Sequence, residues 1–65
     1  MEPHQQRVVE EKRELDEKAA RLVAFIALPT ATVSTAELGR LRVQHAIMDA
    51  YCTVLAERIA AFEGA

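Results

Sequence analysis

Residues 38–62 read LGRLRVQHAIMDAYCTVLAERIAAF. Within this stretch Leu38, Leu41, His45, Met48, Cys52, Leu55, Ile59 and Phe62 recur at intervals of three and four. That rhythm belongs to a helix lying along other helices. Beside it runs a second row, Val43, Ile47, Tyr51 and Val54. A helix with two apolar rows has more surface to bury than one partner can cover.

Working outward, Ser34 stands three residues before Glu37, the spacing of a capping box. Val33 and Leu38 flank it at the staple positions. The second helix is therefore expected over about 35–62, with Gly64 able to stop it. Gly39 costs a helix about 1 kcal/mol against alanine and is expected to permit a close helix crossing. Upstream, Pro29 marks the end of a first helix, because the residue before proline is driven out of the helical region. That helix is expected over about 3–27, with Pro3 in its first turn. Val8, Leu15, Ala19, Leu22 and Ile26 form its buried stripe. Glu14–Lys18 and Glu17–Arg21 have the spacing of ion pairs. The threonine-rich connector, about 28–33, is short enough to make the two helices antiparallel neighbours.

The chain has 65 residues, 51% of them apolar and 28% charged. This allows one domain, 1–65. So small a fold needs disulfides, a metal, oligomerisation or very regular helix packing. Cys52 is the single cysteine, which excludes an internal disulfide. No Cys/His spacing suggests structural zinc. Self-association is the remaining device. The fold expected is all-α: an antiparallel two-helix hairpin assembling into a homo-oligomeric helical bundle.

The net charge of −2 provides no basic field for DNA or RNA. The longest apolar run, Leu22 to Leu28, is too short to span a bilayer. The opening Met-Glu-Pro-His-Gln-Gln lacks the basic end and apolar run of a secretion signal. An intracellular setting is expected, since a lone cysteine suits a reducing compartment.

No nucleophile elbow, Walker loop or zinc protease helix is present, so the chain is read as a non-enzyme without cofactor or metal. His45 and Cys52 share the seam seven residues apart. They are two ligands at most, and packing in a core explains them better than catalysis. Glu10, Glu11, Glu14, Asp16 and Glu17 read as a solvated helix face. Tyr51 reads as core or interface. Arg58 falls in the second apolar row, where a guanidinium calls for a carboxylate of a neighbouring copy or a bound anion. His4, Gln5, Gln6 and Arg7 form a polar block at a helix N-terminus, where phosphates bind readily. A solvated terminus is the plainer reading of that block.

The run from Gln5 to Lys18, then Arg21 to Ile26, resembles a family of small helical phage proteins. So do Leu41, Gln44, Met48, Tyr51, Leu55 to Ile59 and Phe62. The family is that of the phage anti-CBASS nucleotide sponges and their crAss-like phage relatives. The resemblance implies two-helix protomers interlocked into oligomers, typically hexamers. It implies sequestration of cyclic dinucleotides, and at a separate site cyclic trinucleotides, without cleavage. It places the protein in the bacterial host cytoplasm, where it would silence CBASS immunity. By position it implies His4 for the stacking aromatic, Lys18 for a phosphate contact and Arg58 for the trinucleotide site; Arg7, from the polar block beside His4, is the fourth ligand-binding candidate. The alternative is an oligomeric helical hairpin that binds proteins and no nucleotide. A third reading, hydrolysis of the same messengers, differs in returning them cleaved.

Overall fold

The computed structural model describes residues 1–28 and 32–64, with side chains through Phe62. It is a two-helix hairpin with no strand among the described residues. The first helix, α1, spans Pro3–Ile26, and the second, α2, spans Thr35–Gly64. The hairpin measures 46 × 14 × 14 Å. That length matches about 45 Å for a straight 30-residue helix at 1.5 Å per residue.

At the start of α1, the Glu2 N–H donates to Gln5 Oε1 at 3.1 Å. The Gln5 and Gln6 N–H groups both reach the Glu2 carbonyl at 3.0 Å. At its end, Ala27 N–H closes on Val23 O and Leu28 N–H on Phe25 O, each at 3.1 Å. Pro29, expected to end the helix, lies outside the described residues. Ser34 begins α2 as its spacing predicts. Its hydroxyl accepts the Glu37 N–H at 3.1 Å, and its carbonyl accepts the Leu38 N–H at 2.9 Å. The Glu37 carboxylate turns outward instead, accepting from Arg40 Nε at 2.7 Å. At the far end α2 runs through Gly64, two residues past the expected limit. A glycine permits a helix stop without imposing one.

The core is the seam. Every residue of the α2 seam, from Leu38 to Phe62, is buried or half-buried. So is the α1 stripe of Val8, Leu15, Ala19, Leu22 and Ile26. Gln5 and Lys12 extend that stripe at the same three-four spacing, both half-buried. Their polar ends hid them from a reading based on apolar residues. A lysine can still line a seam by its methylene stem while its ammonium reaches water. Among the described residues only Val8 and Leu55 are deeply buried, at 8% and 0% exposure.

Two expectations fail. Glu14–Lys18 and Glu17–Arg21 do not pair. Glu17 is taken by Arg13 Nη1 at 2.6 Å, and Arg13 also clasps Glu10 through Nε and Nη2. Lys12 pairs with Asp16 at 2.7 Å. Gly39 marks no close crossing within the chain, since a Cβ built there meets nothing within 4 Å.

A candidate ligand-binding face

The two helices are joined across the seam at two levels. The His4 and Phe62 rings meet edge-on at 6.4 Å. The Tyr51 hydroxyl donates to Glu11 Oε2. These contacts make the helices antiparallel and set their register. Arg58 thereby falls at the level of Arg7.

The Tyr51–Glu11 bond also shows which sides adjoin. Arg7 lies four residues before Glu11 and Lys18 seven after it, spacings that return to one side of a helix. Arg58 stands seven residues beyond Tyr51, again on the same side. Arg7, Lys18 and Arg58 therefore lie on one broad face of the hairpin, with Tyr51 and Glu11 at its middle. All three cations are exposed. Among the described residues none has a carboxylate within 4 Å, whereas Lys12, Arg13 and Arg40 each do.

The four candidate ligand-binding residues do not meet at a point. His4 and Lys18 are fourteen residues apart, about 21 Å along α1. His4 is engaged at the open end of the hairpin, with Nδ1 3.4 Å from Glu2 Oε2 and its ring against Phe62. The described residues enclose no cavity. One chain thus offers a charged, open face rather than a pocket.

Next to this face lies the second apolar row of α2. Val43, Ile47, Tyr51 and Val54 stand 59%, 64%, 43% and 50% exposed. Arg58 continues the row. Among the described residues nothing covers it.

The titratable groups that depart from ordinary behaviour lie away from this face. Asp16 is held below its usual range by Lys12 and then by the Cys52 thiol, and Lys12 is raised by Asp16. Partial burial, then Asp16, pushes Cys52 above its ordinary 9.0. A thiol held protonated is a poor nucleophile. Arg13 holds Glu10 below its ordinary 4.5. No three described His, Cys, Asp or Glu side chains gather as a metal site would require. No described helix is long and apolar enough to cross a membrane.

The family model described as Sequestin matches residues 2–61 of this chain. No curated protein and no solved structure matches it.

Proposed function

We propose that this chain, which belongs to the Sequestin family, sequesters a small anionic nucleotide signal. More finely, we propose the class implied by the residue resemblance: cyclic di- and trinucleotide messengers of CBASS immunity. A phage-encoded oligomer would hold them uncleaved in the host cytoplasm. The observation that carries the reading is the family match over nearly the whole chain.

The geometry supports it in two ways. Among the described residues Arg7, Lys18 and Arg58 have no carboxylate within 4 Å, the state an anion-binding side chain keeps before its ligand arrives. The described residues of a single hairpin enclose no cavity and leave an apolar row exposed beside those cations. Covering that row with further copies, in the hexamer implied by resemblance or a smaller ring, would roof the charged face and exclude water from it. Charge-assisted contacts strengthen as water is excluded.

The energies are adequate. Base stacking contributes roughly 1–3 kcal/mol per base. A hydrogen bond to a charged group adds roughly 1.5–3 kcal/mol. Two of each span about 5–12 kcal/mol before association costs, and micromolar binding requires about 8 kcal/mol. Binding of this kind needs neither a nucleophile nor a metal.

Titration calorimetry on the purified full chain tests the proposal. The panel should run from cyclic di- and trinucleotides to single-base nucleotides such as ADP-ribose and its cyclised forms. Submicromolar binding of a cyclic oligonucleotide, recovered intact by chromatography, is the expected result. Binding confined to a single-base nucleotide would keep the sequestering role and discard the CBASS messengers. Cleaved product would mean a hydrolase. Silence across the panel from a folded protein would leave the protein-binding hairpin as the better account.

A further inference from the structure

Charge divides this hairpin end from end. Residues 18–47, the half that includes the connector, hold four cations, Lys18, Arg21, Arg40 and Arg42, and a single carboxylate, Glu37. The rest of the chain holds four cations and nine carboxylates. Between Arg21 and Glu37 stand fifteen consecutive residues without a charge, ten of them apolar. The connector end is thus uncharged at its extremity and basic just behind it, on both helices.

The register places these parts. Tyr51 reaches Glu11, so ten residues onward in α1 and ten back in α2 bring Arg21 level with Leu41 and its neighbours Arg40 and Arg42. Lys18 stands one turn further from the connector. Lys18 and Arg21, three apart, share a side of α1, whereas Arg40 and Arg42, two apart, fall on nearly opposite sides of α2. All four are exposed. The cations therefore ring the rod instead of marking one face. Among the described residues Lys18, Arg21 and Arg42 have no carboxylate within 4 Å, and Glu37 holds Arg40 through Nε alone. Ahead of the ring, Val23, Phe25 and Leu28 stand 46%, 37% and 51% exposed.

An apolar end behind which lies a basic ring matches a negatively charged lipid surface. An acidic protein docked on one face would leave half of the ring unused, while a plane met end-on uses all of it. Basic residues close to an anionic leaflet are drawn to it one by one. Interfacial apolar side chains sink about 5–10 Å into the boundary between headgroups and acyl chains. From Arg21 to Leu28 is about 10 Å along the axis, which is that depth. The contact is peripheral, since no described helix is long and apolar enough to cross a membrane.

We propose that the connector end of this hairpin docks on anionic lipid bilayers. Phe25 and Leu28 enter the interface, and Arg21, Arg40 and Arg42 meet lipid phosphates. This surface goes beyond the proposed sequestering of nucleotides and does not depend on it.

Flotation of the full chain with lipid vesicles tests the contact. Vesicles of phosphatidylglycerol and phosphatidylcholine in equal parts should carry at least tenfold more protein than phosphatidylcholine alone, and high salt should release it. Arg21→Gln combined with Arg42→Gln should lower flotation at least fivefold. Leu28→Ser should lower it about threefold, the mark of an apolar contribution beside the charges. The chain has no tryptophan, so Leu28→Trp reports on depth without interference. Its emission should shift to the blue with the anionic vesicles, and brominated acyl chains should quench it. Equal flotation on both lipids, full flotation of the double arginine variant, or a Leu28→Trp emission that anionic vesicles leave unchanged overturns the proposal. The lipid and salt comparisons use the unaltered chain, and circular dichroism confirms that each variant keeps its helix content. No nucleotide is present, so failure here leaves the sequestering role standing, and silent calorimetry leaves this contact standing.

Discussion

The two helices solve the same problem differently. Both bury one stripe at three-four spacing, and there the likeness ends. Away from the seam α1 is largely charged, and much of that charge is settled within the helix: Arg13 with Glu10 and Glu17, Lys12 with Asp16. The outer face of α2 is apolar for three turns, and none of the described residues covers it. The lesson is that one hairpin can be complete on one side and unfinished on the other. What the unfinished side meets decides whether the charged face beside it becomes a binding site.

The sharpest way to break this contrast is inside α2 itself. Leu55 is fully buried, while its neighbour Val54 is half exposed. Leu55→Ala should cost about 2–5 kcal/mol of stability. Val54→Ala should change the hairpin by less than about 0.5 kcal/mol if the outer row is solvated. Urea unfolding followed by helix content measures both. A large loss from Val54→Ala at high protein concentration, fading on dilution, would show that the outer row is also a core.

Placing a charge in the outer row should separate folding from assembly. Ile47→Asp should keep the helix spectrum and abolish self-association, as read by light scattering. The same change on α1, such as Ala20→Asp, should leave association unaltered. If both behave alike, the two outer faces do not differ as proposed.

Backbone substitutions near the start of α2 act more gently. Ser34→Ala removes the hydroxyl that caps Glu37 and should cost about 1 kcal/mol. Gly39→Ala should gain about 1 kcal/mol, because its Cβ meets open space in the chain. A loss of assembly from Gly39→Ala would mean that another copy approaches there. Thermal melts at two protein concentrations distinguish these outcomes.

The smallest effect is on the pH dependence of α1. Arg13 depresses the folded value of Glu10 below its ordinary 4.5, and Lys12 depresses that of Asp16 below 3.8. Their contribution is therefore present above about pH 4.5. It is lost as pH falls through the depressed folded values. The carboxylates of both pairs are exposed, so the loss should be modest and weaker in high salt. Melting temperature against pH, with Arg13→Gln as control, checks it. A steeper loss in Arg13→Gln would contradict the assignment.

Much of this fold was legible in advance because helices announce themselves by period. The seam of α2, the stripe of α1 and the Ser34 cap all follow from spacings of three and four. Gln5 and Lys12 escaped because burial of a methylene stem leaves no apolar letter in the sequence. The ion pairs were misassigned for a related reason. Arg13 had two carboxylates in reach, and spacing alone does not say which acid a guanidinium will take. The candidate site was legible only as residue types. Resemblance named His4, Lys18 and Arg58, and the polar block at the start of α1 named Arg7, but neither showed that His4 lies against Phe62 while the other three share a face.

By itself the sequence determined two helices, the stripe each buries and the surplus apolar row on the second. These depend only on local geometry, which returns every third or fourth residue to the same side. Tertiary structure alone decided the register, and with it that Arg58 stands level with Arg7 and Tyr51 reaches Glu11. Register is a choice between helices, made by packing across the seam, and no spacing within one helix contains it.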